Sequence, residues 1–184
     1  MKVFVQGMWH CGCVISACLA SLKHEIIGYD DNQKIINKLQ KNITPLYEPG
    51  LKDLIAKAKK SKKLTFSKNL NKLNHANIVW FTYDTPLNTK DEANTQIVID
   101  KIKKTLKKLN SKKIVIISSQ LPVGTIKLLE NYSKRVLNKK FYFYYIPENL
   151  RVGNSISSFI NQKRMVVGYR DNISKKKIID FLKT

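Results

Sequence analysis

The chain has 184 residues, and 34 Lys and Arg against 13 Asp and Glu give it a net charge of +21. At this length we expect one domain, residues 1–184, and the hydrophobic fraction of 43% argues against disorder. No apolar run approaches the roughly 20 residues of a membrane helix, and the N-terminal residues MKVFVQGMWH lack the apolar core of a signal peptide. The three cysteines lie too close together to cross-link distant segments. We therefore expect a reduced, cytoplasmic protein without a membrane partner.

The positive charge raises the question of an anionic partner. Of the 34 basic residues 30 are Lys and four are Arg, whereas proteins that read nucleic acids rely on Arg for bidentate contacts. The lysines occur in short groups on the polar faces of predicted helices, for example at 103–104 and 107–108. We therefore interpret the charge as a solvated surface and do not expect nucleic acid as a partner. Its field would still attract an anionic cofactor or substrate.

In chain order, short apolar runs alternate with helical patterns. Unbroken apolar strands separated by helices are typical of a parallel sheet that is covered on both faces. The pattern predicts an α/β fold with a Rossmann-like, doubly wound parallel sheet and helices on both faces. The predicted strands are 2–6, 25–29, 64–66, 78–81, 114–117, 141–146 and 165–167, and the predicted helices are 12–22, 32–40, a Lys-rich segment up to about 60, 94–109, 124–137 and 173–182.

Motif-like residues cluster at one edge of this predicted sheet. In such folds ligands bind beyond the carboxyl ends of the strands. The segments that follow the predicted strands are the ones with unusual composition, so we expect them to meet in one crevice. They are residues 7–12, Asp30, residues 84–86, residues 118–124 and residues 147–153.

The first of these segments, GMWHCG, is a partial dinucleotide-binding fingerprint, G-x-G-x-x-G. Gly7 and Gly12 occupy the first and third glycine positions, and Trp9 occupies the second. Asp30 stands 18 residues after Gly12, at the end of the second predicted strand. A carboxylate there can accept hydrogen bonds from both ribose hydroxyls of NAD and would repel the 2′-phosphate of NADP. The segment therefore predicts an NAD site.

Three further residues of this loop, Trp9, His10 and Cys11, are candidate cofactor ligands. His10 can either contact a phosphate or pack beside Trp9, and both interpretations stay open. Cys11 can approach the phosphates, although a small buried packing residue is the interpretation that we favour for each cysteine. No metal site is predicted.

The whole chain resembles the N-terminal NAD-binding domain of the UDP-glucose/GDP-mannose (nucleotide-sugar) dehydrogenase family. Seven ordered segments carry this resemblance: VQGMWHCGCVISACLASLKHEIIGYD, TPLYEPGLKDLI, LTFSKNL, YDTPLN with DEANTQIV, SSQLPVGT, PENLRVG and KRMVVG. The corresponding family patterns are G-x-G-Y-V-G, P-x-x-E-P-G-L, L-x-F-T-x-D, V-G-T-P, S-T-V-P-V-G-T, P-E-F-L-R-E-G and D-R-x-x-I-G.

The resemblance implies cofactor roles for several residues. Gly7, Gly12 and Asp30 match the cofactor loop and the acid that binds the ribose. Thr85 matches a Thr that lies near the dinucleotide. Gln120 stands where the family has a Thr near the nicotinamide and the reacting sugar, so it is a candidate for both cofactor binding and catalysis.

The resemblance also implies a substrate site. Glu148 matches a family Glu that helps to position water and the reacting intermediates, which makes it a candidate catalytic residue. Asn149, Leu150 and Arg151 match the segment that lines the sugar-nucleotide site. Glu48, in the TPLYEPGL segment, is interpreted as part of a structural turn that leads into a helix.

The chain also departs from the family. Trp9 replaces a Gly, Asp84 replaces the Gly before Thr-Pro, and Gln120 replaces a Thr. Family enzymes oxidise a sugar primary alcohol to a carboxylate in two NAD-dependent steps, with a Cys, a Lys and an Asn that lie in the linking helix and the second domain. We expect both parts to be absent from 1–184, since none of the three cysteines matches the nucleophile. The chain would then be incomplete alone, and a separate C-terminal dehydrogenase chain would be its partner, or it would be a remnant.

Three functions are thus weighed. The first is the NAD-binding domain of a nucleotide-sugar dehydrogenase of the UDP-glucose type, with a UDP-sugar as substrate. The second is a non-catalytic Rossmann module that senses NAD or binds a polyanion such as nucleic acid. The third is another NAD-dependent dehydrogenase of hydroxy acids or sugar phosphates, and the PENLR and LPVGT segments argue against it.

Overall fold

The central sheet has seven strands in the part of the chain that the structure describes, residues 1–170, 172–173 and 175–183 of a computed structural model. They lie in the order β3-β2-β1-β4-β5-β6-β7, and β1 to β6 run parallel. The predicted α/β, Rossmann-like sheet is therefore confirmed. The strands are Lys2–Gln6 (β1), Glu25–Tyr29 (β2), Leu64–Ser67 (β3), Ile78–Phe81 (β4), Ile114–Ile117 (β5), Tyr142–Tyr145 (β6) and Gly168–Tyr169 (β7).

Helices cover both faces of the sheet. The residues of β1 alternate between the faces: Val3 and Val5 pack in one apolar cluster and Phe4 packs in the other. The first cluster includes α1, α2, α3 and α7, and the second includes α4, α5 and a 3₁₀ helix. The helices are His10–Ser21 (α1), Gln33–Gln40 (α2), Leu51–Lys60 (α3), Thr95–Lys108 (α4), Thr125–Arg135 (α5), Ser155–Ile160 (α6) and Lys175–Leu182 (α7), and the 3₁₀ helix is Leu70–His75.

The order of the strands determines where the crevice for a ligand lies. The chain leaves β1 toward β2 and β3 on one side and returns to β4 on the other, so the connections diverge between β1 and β4. This reversal opens a gap beyond the carboxyl ends of these strands, which is where doubly wound sheets bind ligands. The loops after β1, β2, β4, β5 and β6 all end at this edge.

Several lysines stabilise the fold by capping carbonyl groups. The Lys59 ammonium donates to Asn42 Oδ1 at 2.7 Å and to a carbonyl at the end of α2. Lys113 donates to the Ala76 carbonyl at 2.7 Å, and Lys139 donates to the Lys107 carbonyl at 2.7 Å near the end of α4. Cations at helix ends complement the negative end of the helix dipole. Part of the large positive charge is thus used within the fold.

Three sequence predictions need correction. The last strand was predicted at 165–167, but β7 is Gly168–Tyr169, and it pairs antiparallel to β6. Met165 and Val167 are apolar because they pack on the first cluster, which needs no strand ladder. Helix α1 begins at His10, two residues before the predicted start. Helix α6 was not predicted.

The predicted helix 173–182 corresponds to α7, and its residue 174 lies outside the described residues. None of the helices in the described ranges is long and apolar enough to cross a membrane.

Candidate functional site

The loop after β1 approaches the end of β4 so closely that only glycine fits at two positions. Gly7 has φ of 98°, and a Cβ there would lie 2.7 Å from the Tyr83 amide nitrogen. A Cβ at Gly12 would lie 1.9 Å from the Gly7 carbonyl oxygen. The Thr82 hydroxyl, 3.0 Å from that same oxygen, donates toward it and holds the loop in place. The two glycines therefore form a cradle whose backbone a ligand can approach.

Helix α1 points its N-terminus at this crevice. Trp9 is the N-cap residue, with extended backbone and a side chain that is 46% exposed. Neither a side-chain cap nor an acidic residue in the first turn occupies the start of α1, all of whose residues are described. Unpaired backbone amides and the helix dipole make such a terminus suited to a phosphate group. His10 and Cys11 follow the Trp9 N-cap in the first helical turn.

Asp30 ties the end of β2 to this loop. Its Oδ2 accepts a hydrogen bond from the Met8 amide at 2.8 Å, and its Oδ1 accepts one from the Asn32 amide at 2.9 Å. Burial raises the pKa of Asp30, the two amides oppose this, and the nearby Asp31 adds to it. A carboxylate can accept about four hydrogen bonds. The two bonds named here leave acceptor capacity for the hydroxyls of a ribose.

Lys101 brings a positive charge to the same end of the sheet. Its ammonium lies 3.0 Å from the Asp31 carboxylate and 4.7 Å from the centre of the Tyr83 ring. The pKa of Asp31 is below its usual range because the hydrogen bond and charge of Lys101 outweigh the opposing effect of burial. Asp31 thus pairs with the Lys101 ammonium at the same end of the sheet as Asp30.

The loops after β4 and β5 are joined across the crevice. The Thr85 hydroxyl donates to the Gln120 carbonyl at 2.8 Å, so these two predicted cofactor residues lie together. Asp84 precedes Thr85, and its pKa is raised by burial and by the negative charge of Glu148, against an opposing effect of His10. Residues of the loops after β1, β4 and β6 therefore lie within electrostatic reach of one another, and the loop after β5 is joined to them through Gln120.

The predicted substrate segment lines a cavity of about 230 Å³. Glu148, Asn149 and Leu150 form part of its wall, and the Leu150 amide donates to the Glu148 carboxylate. Arg151, the fourth predicted substrate residue, is exposed beyond this wall. The structure thus places three of these four residues together in one concave surface.

Trp80, Ser118 and Phe159 also line this cavity; Ser118 belongs to the predicted 118–124 segment, whereas no site role was predicted for Trp80 or Phe159. The Trp80 indole donates to the Ser118 hydroxyl at 2.8 Å, and that hydroxyl donates to the Ile146 carbonyl at 2.7 Å. This relay fixes the ends of β4, β5 and β6 relative to one another. The signal available for Phe159 was its spacing from Ile156 in the short apolar helix α6.

A second buried carboxylate lies behind the loop. The Glu48 side chain is 1% exposed, and its Oε2 lies 2.9 Å from His10 Nε2. It also accepts hydrogen bonds from the Gly153 and Ser155 amides, both at 2.9 Å. Burial alone would raise the pKa of Glu48, but the hydrogen bonds, led by that from His10, hold it below its usual range. The His10 ring is therefore turned toward Glu48.

The three cysteines are free, buried thiols. Burial is the main cause that raises the pKa of each, and for Cys11 the charges of Glu148 and Asp84 raise it further. A thiol with a raised pKa holds almost no thiolate at neutral pH. Cys13 and Cys18 belong to the apolar cluster around α1.

A glycine cradle at the strand-order reversal, a free helix N-terminus and a carboxylate after β2 define the class of Rossmann dinucleotide-binding domains. Residues 1–183 match the family model described as "UDP-glucose/GDP-mannose dehydrogenase family, NAD binding domain". The chain belongs to this family, so the resemblance expected from its motifs is confirmed.

Two relatives match most of this chain. The chain is 29% identical over 170 residues to the UDP-glucose 6-dehydrogenase TuaD of Bacillus subtilis, covering 91% of this chain and 37% of that protein. It is 28% identical over 189 residues to the uncharacterized protein MJ1054 of Methanocaldococcus jannaschii, covering 99% of this chain and 20% of that protein. The chain thus spans less than half the length of these relatives.

Solved structures support the fold. A UDP-glucose dehydrogenase from the archaeon Pyrobaculum islandicum superposes with a TM-score of 0.88 at 24% identity, over 100% of this chain and 44% of the other. A GDP-mannose dehydrogenase from Pseudomonas aeruginosa superposes with a TM-score of 0.91 at 19% identity, again over 100% and 44%. At these identities the likeness concerns the fold, and the roles of individual site residues stay predictions.

Proposed function

We propose that residues 1–184 act as the NAD-binding half of a nucleotide-sugar dehydrogenase of the UDP-glucose type, which oxidises a sugar primary alcohol to a carboxylate. The observation that supports this most directly is the placement of Asp30. Its carboxylate is buried at the end of β2, is bonded to the Met8 amide in the glycine loop, and keeps acceptor capacity. The glycine cradle, in which a Cβ would collide with backbone, fits a bound pyrophosphate as well.

NAD, when bound, would accept the hydride that leaves the sugar carbon. The protein's own residues would bind and orient the reactants. Gly7 and Gly12 let the backbone approach the pyrophosphate, and Asp30 accepts hydrogen bonds from the ribose. Thr85 and Gln120, already joined to each other, border the reacting end of the crevice.

The substrate half of the proposal concerns the cavity wall formed by Glu148, Asn149 and Leu150. We propose that this wall takes part of a UDP-sugar, and that Glu148 positions water and the reacting group. None of the three cysteines of this chain matches the family's nucleophile, so the covalent step in which that Cys takes part would use residues outside 1–184, on the same polypeptide or on a second chain.

The test is a calorimetric titration with NAD and with NADP at two salt concentrations. We expect NAD to bind at least about 10-fold more tightly than NADP, because hydrogen bonds to a carboxylate and charge repulsion act together. Asp30→Ala should abolish this binding. Asp53→Ala, which removes an exposed carboxylate from α3, should leave it unchanged.

A folded chain that binds neither dinucleotide would refute the proposal. Steeply salt-dependent binding to DNA or RNA without an effect of NAD would replace it with the polyanion-binding function.

A further inference from the structure

We propose that Glu48, acting through His10, is a positioning residue that couples the cofactor loop to the segment that borders the substrate cavity. The inference rests on the proposed function, because it assigns the two coupled segments to the cofactor and the sugar nucleotide. Glu48 lies in the turn between α2 and α3, away from both segments in sequence. Both segments nevertheless form hydrogen bonds to its carboxylate.

Both carboxylate oxygens of Glu48 are held by buried hydrogen bonds. Oε2 lies 2.9 Å from His10 Nε2 and accepts from the Gly153 amide at 2.9 Å, and the Ser155 amide donates to Oε1 at 2.9 Å. The Ser155 hydroxyl, which lies 3.0 Å from Oε2, also donates to the Arg151 carbonyl at 2.7 Å. The Glu48 side chain is 1% exposed, so a ligand has no access to it. Glu48 therefore positions other groups and does not bind substrate itself.

The position of a hydrogen on the His10 ring follows from these neighbours. An ionised carboxylate only accepts hydrogen bonds, so the Nε2 atom that faces Glu48 at 2.9 Å must carry a hydrogen. The Ser155 hydroxyl lies 3.3 Å from the same nitrogen and completes the contact. Because His10 is in the first turn of α1, a displacement of that turn changes the geometry at Glu48 directly.

The other end of the link is a turn that packing alone does not fix. Residues 151–154 are exposed, and Gly153 adopts φ of 93° with no atom within 4 Å of the position of a Cβ. The turn connects the cavity wall to α6, whose Phe159 also lines the cavity. Two bonds to the Arg151 carbonyl, from the Asn154 amide and the Ser155 hydroxyl, close the turn on itself. The bonds from Gly153 and Ser155 to Glu48 tie it to the rest of the fold. A shift of α1 on cofactor binding would reach the cavity through them.

The test compares two variants of His10 by residue-resolved amide hydrogen exchange on the full chain. His10→Leu removes the donor to Glu48, and His10→Gln retains an N–H near the same position. We expect His10→Leu to raise the exchange rates of the Gly153 and Ser155 amides about 10-fold. His10→Gln should keep them within about threefold of the wild type, and Val115, in the middle of β5, should not change in either variant.

Addition of NAD provides the second arm. In the wild type and in His10→Gln, NAD should slow the exchange of Gly153 and Ser155 further. In His10→Leu this remote protection should disappear even where calorimetry shows that NAD is bound. A purely structural role of His10 would change stability throughout the sheet and would not remove an NAD-dependent effect at one turn.

Unchanged Gly153 and Ser155 rates in His10→Leu would overturn the proposal, as would an equal rise at Val115. If NAD does not bind the wild type, the proposed function fails, while the ligand-free arm still decides whether the link exists. If His10→Leu does not fold, His10→Asn takes its place. Its shorter amide side chain withdraws the donor from Glu48 and leaves the bonds within the 151–155 turn unchanged, and Gly153 exchange should rise severalfold. An unchanged Gly153 rate in that variant would equally overturn the link.

Discussion

The two buried carboxylates of the crevice, Asp30 and Glu48, are chemically alike but are used differently. Asp30 accepts two backbone hydrogen bonds, and burial raises its pKa. Glu48 has three N–H partners, in His10, Gly153 and Ser155, with the Ser155 hydroxyl nearby, and these contacts lower its pKa despite burial. Asp30 thus keeps acceptor capacity toward the crevice, whereas both oxygens of Glu48 are bonded within the protein.

The difference separates a binding group from a positioning group. An ionised carboxylate that is desolvated without full compensation is costly, and the cost is recovered when a ligand donates the missing hydrogen bonds. A saturated carboxylate has nothing to offer a ligand and instead fixes the segments that donate to it. Substitutions at the two positions should therefore act on different properties.

The largest expected effect is on stability, in Glu48→Gln. The amide group would place N–H donors against the donors of His10, Gly153 and Ser155, leaving buried groups unpaired. We expect a loss of about 3 kcal/mol in the free energy of unfolding, measured by urea denaturation. Asp53→Asn, at an exposed site of α3, should change stability by less than about 1 kcal/mol and serves as the control. A loss no larger than that of the control would contradict the role of Glu48.

At Asp30 we expect the reverse, a large loss of NAD binding with a small change in stability. Asp30→Asn should weaken NAD binding at least about 10-fold in calorimetry, because the remaining amide oxygen accepts fewer and weaker hydrogen bonds. Its free energy of unfolding should change by less than about 1 kcal/mol, since removal of an uncompensated buried charge offsets a weakened backbone contact. A large loss of stability with intact NAD binding would show that Asp30 is a structural group.

The pH dependence of unfolding should have opposite signs for the two carboxylates. The lowered pKa of Glu48 means that its stabilisation is present above its unfolded value and is lost as the pH falls below about 4. The raised pKa of Asp30 means that its contribution is most favourable below its unfolded value and is lost as the pH rises through the folded one.

Urea titrations at pH 7, 5 and 3 (the lowest below the unfolded pKa values of about 4) would separate the two. The advantage of wild type over Glu48→Gln should shrink as the pH falls. The stability of the wild type relative to Asp30→Asn should instead increase as the pH falls. If both stability differences changed with pH in the same direction, the contrast between Asp30 and Glu48 would be contradicted.

The smallest effect is expected at Asp31, whose carboxylate is partly exposed. Asp31→Asn leaves the Lys101 ammonium without its partner near Asp30, so the discrimination against NADP should fall by a few fold. The ratio of NAD to NADP affinity measures this. The effect should decrease at high salt, and an effect that is insensitive to salt would point to a conformational cause.

Much of the fold was predictable from the sequence because unbroken apolar runs mark buried parallel strands, as in Ile78–Phe81 and Ile114–Ile117. The gathering of loops at one edge followed from the same pattern. Helix α6 was missed because its six residues are too few to show a helical period. Strand β7 was misplaced because Met165 and Val167 are apolar for packing on helices.

The network around Glu48 was beyond the reach of local patterns. The turn that leads into a helix was correctly interpreted, since the Leu51 amide donates to the Glu48 carbonyl at the start of α3. The side chain, however, bonds to residues 38 positions before it and 107 after it. Spacing along a sequence carries no information about such partners, and a side chain that turns inward resembles one that faces solvent.

The chain has two tryptophans, and the structure puts them in opposite settings. Trp9 is 46% exposed at the mouth of the crevice, whereas Trp80 is 1% exposed within the sheet and donates to Ser118. The two indoles therefore emit at different wavelengths and differ in access to a collisional quencher. The molecule thus contains two intrinsic optical probes in different settings, an exposed indole at the start of α1 and a buried indole that is part of both the core and the cavity wall.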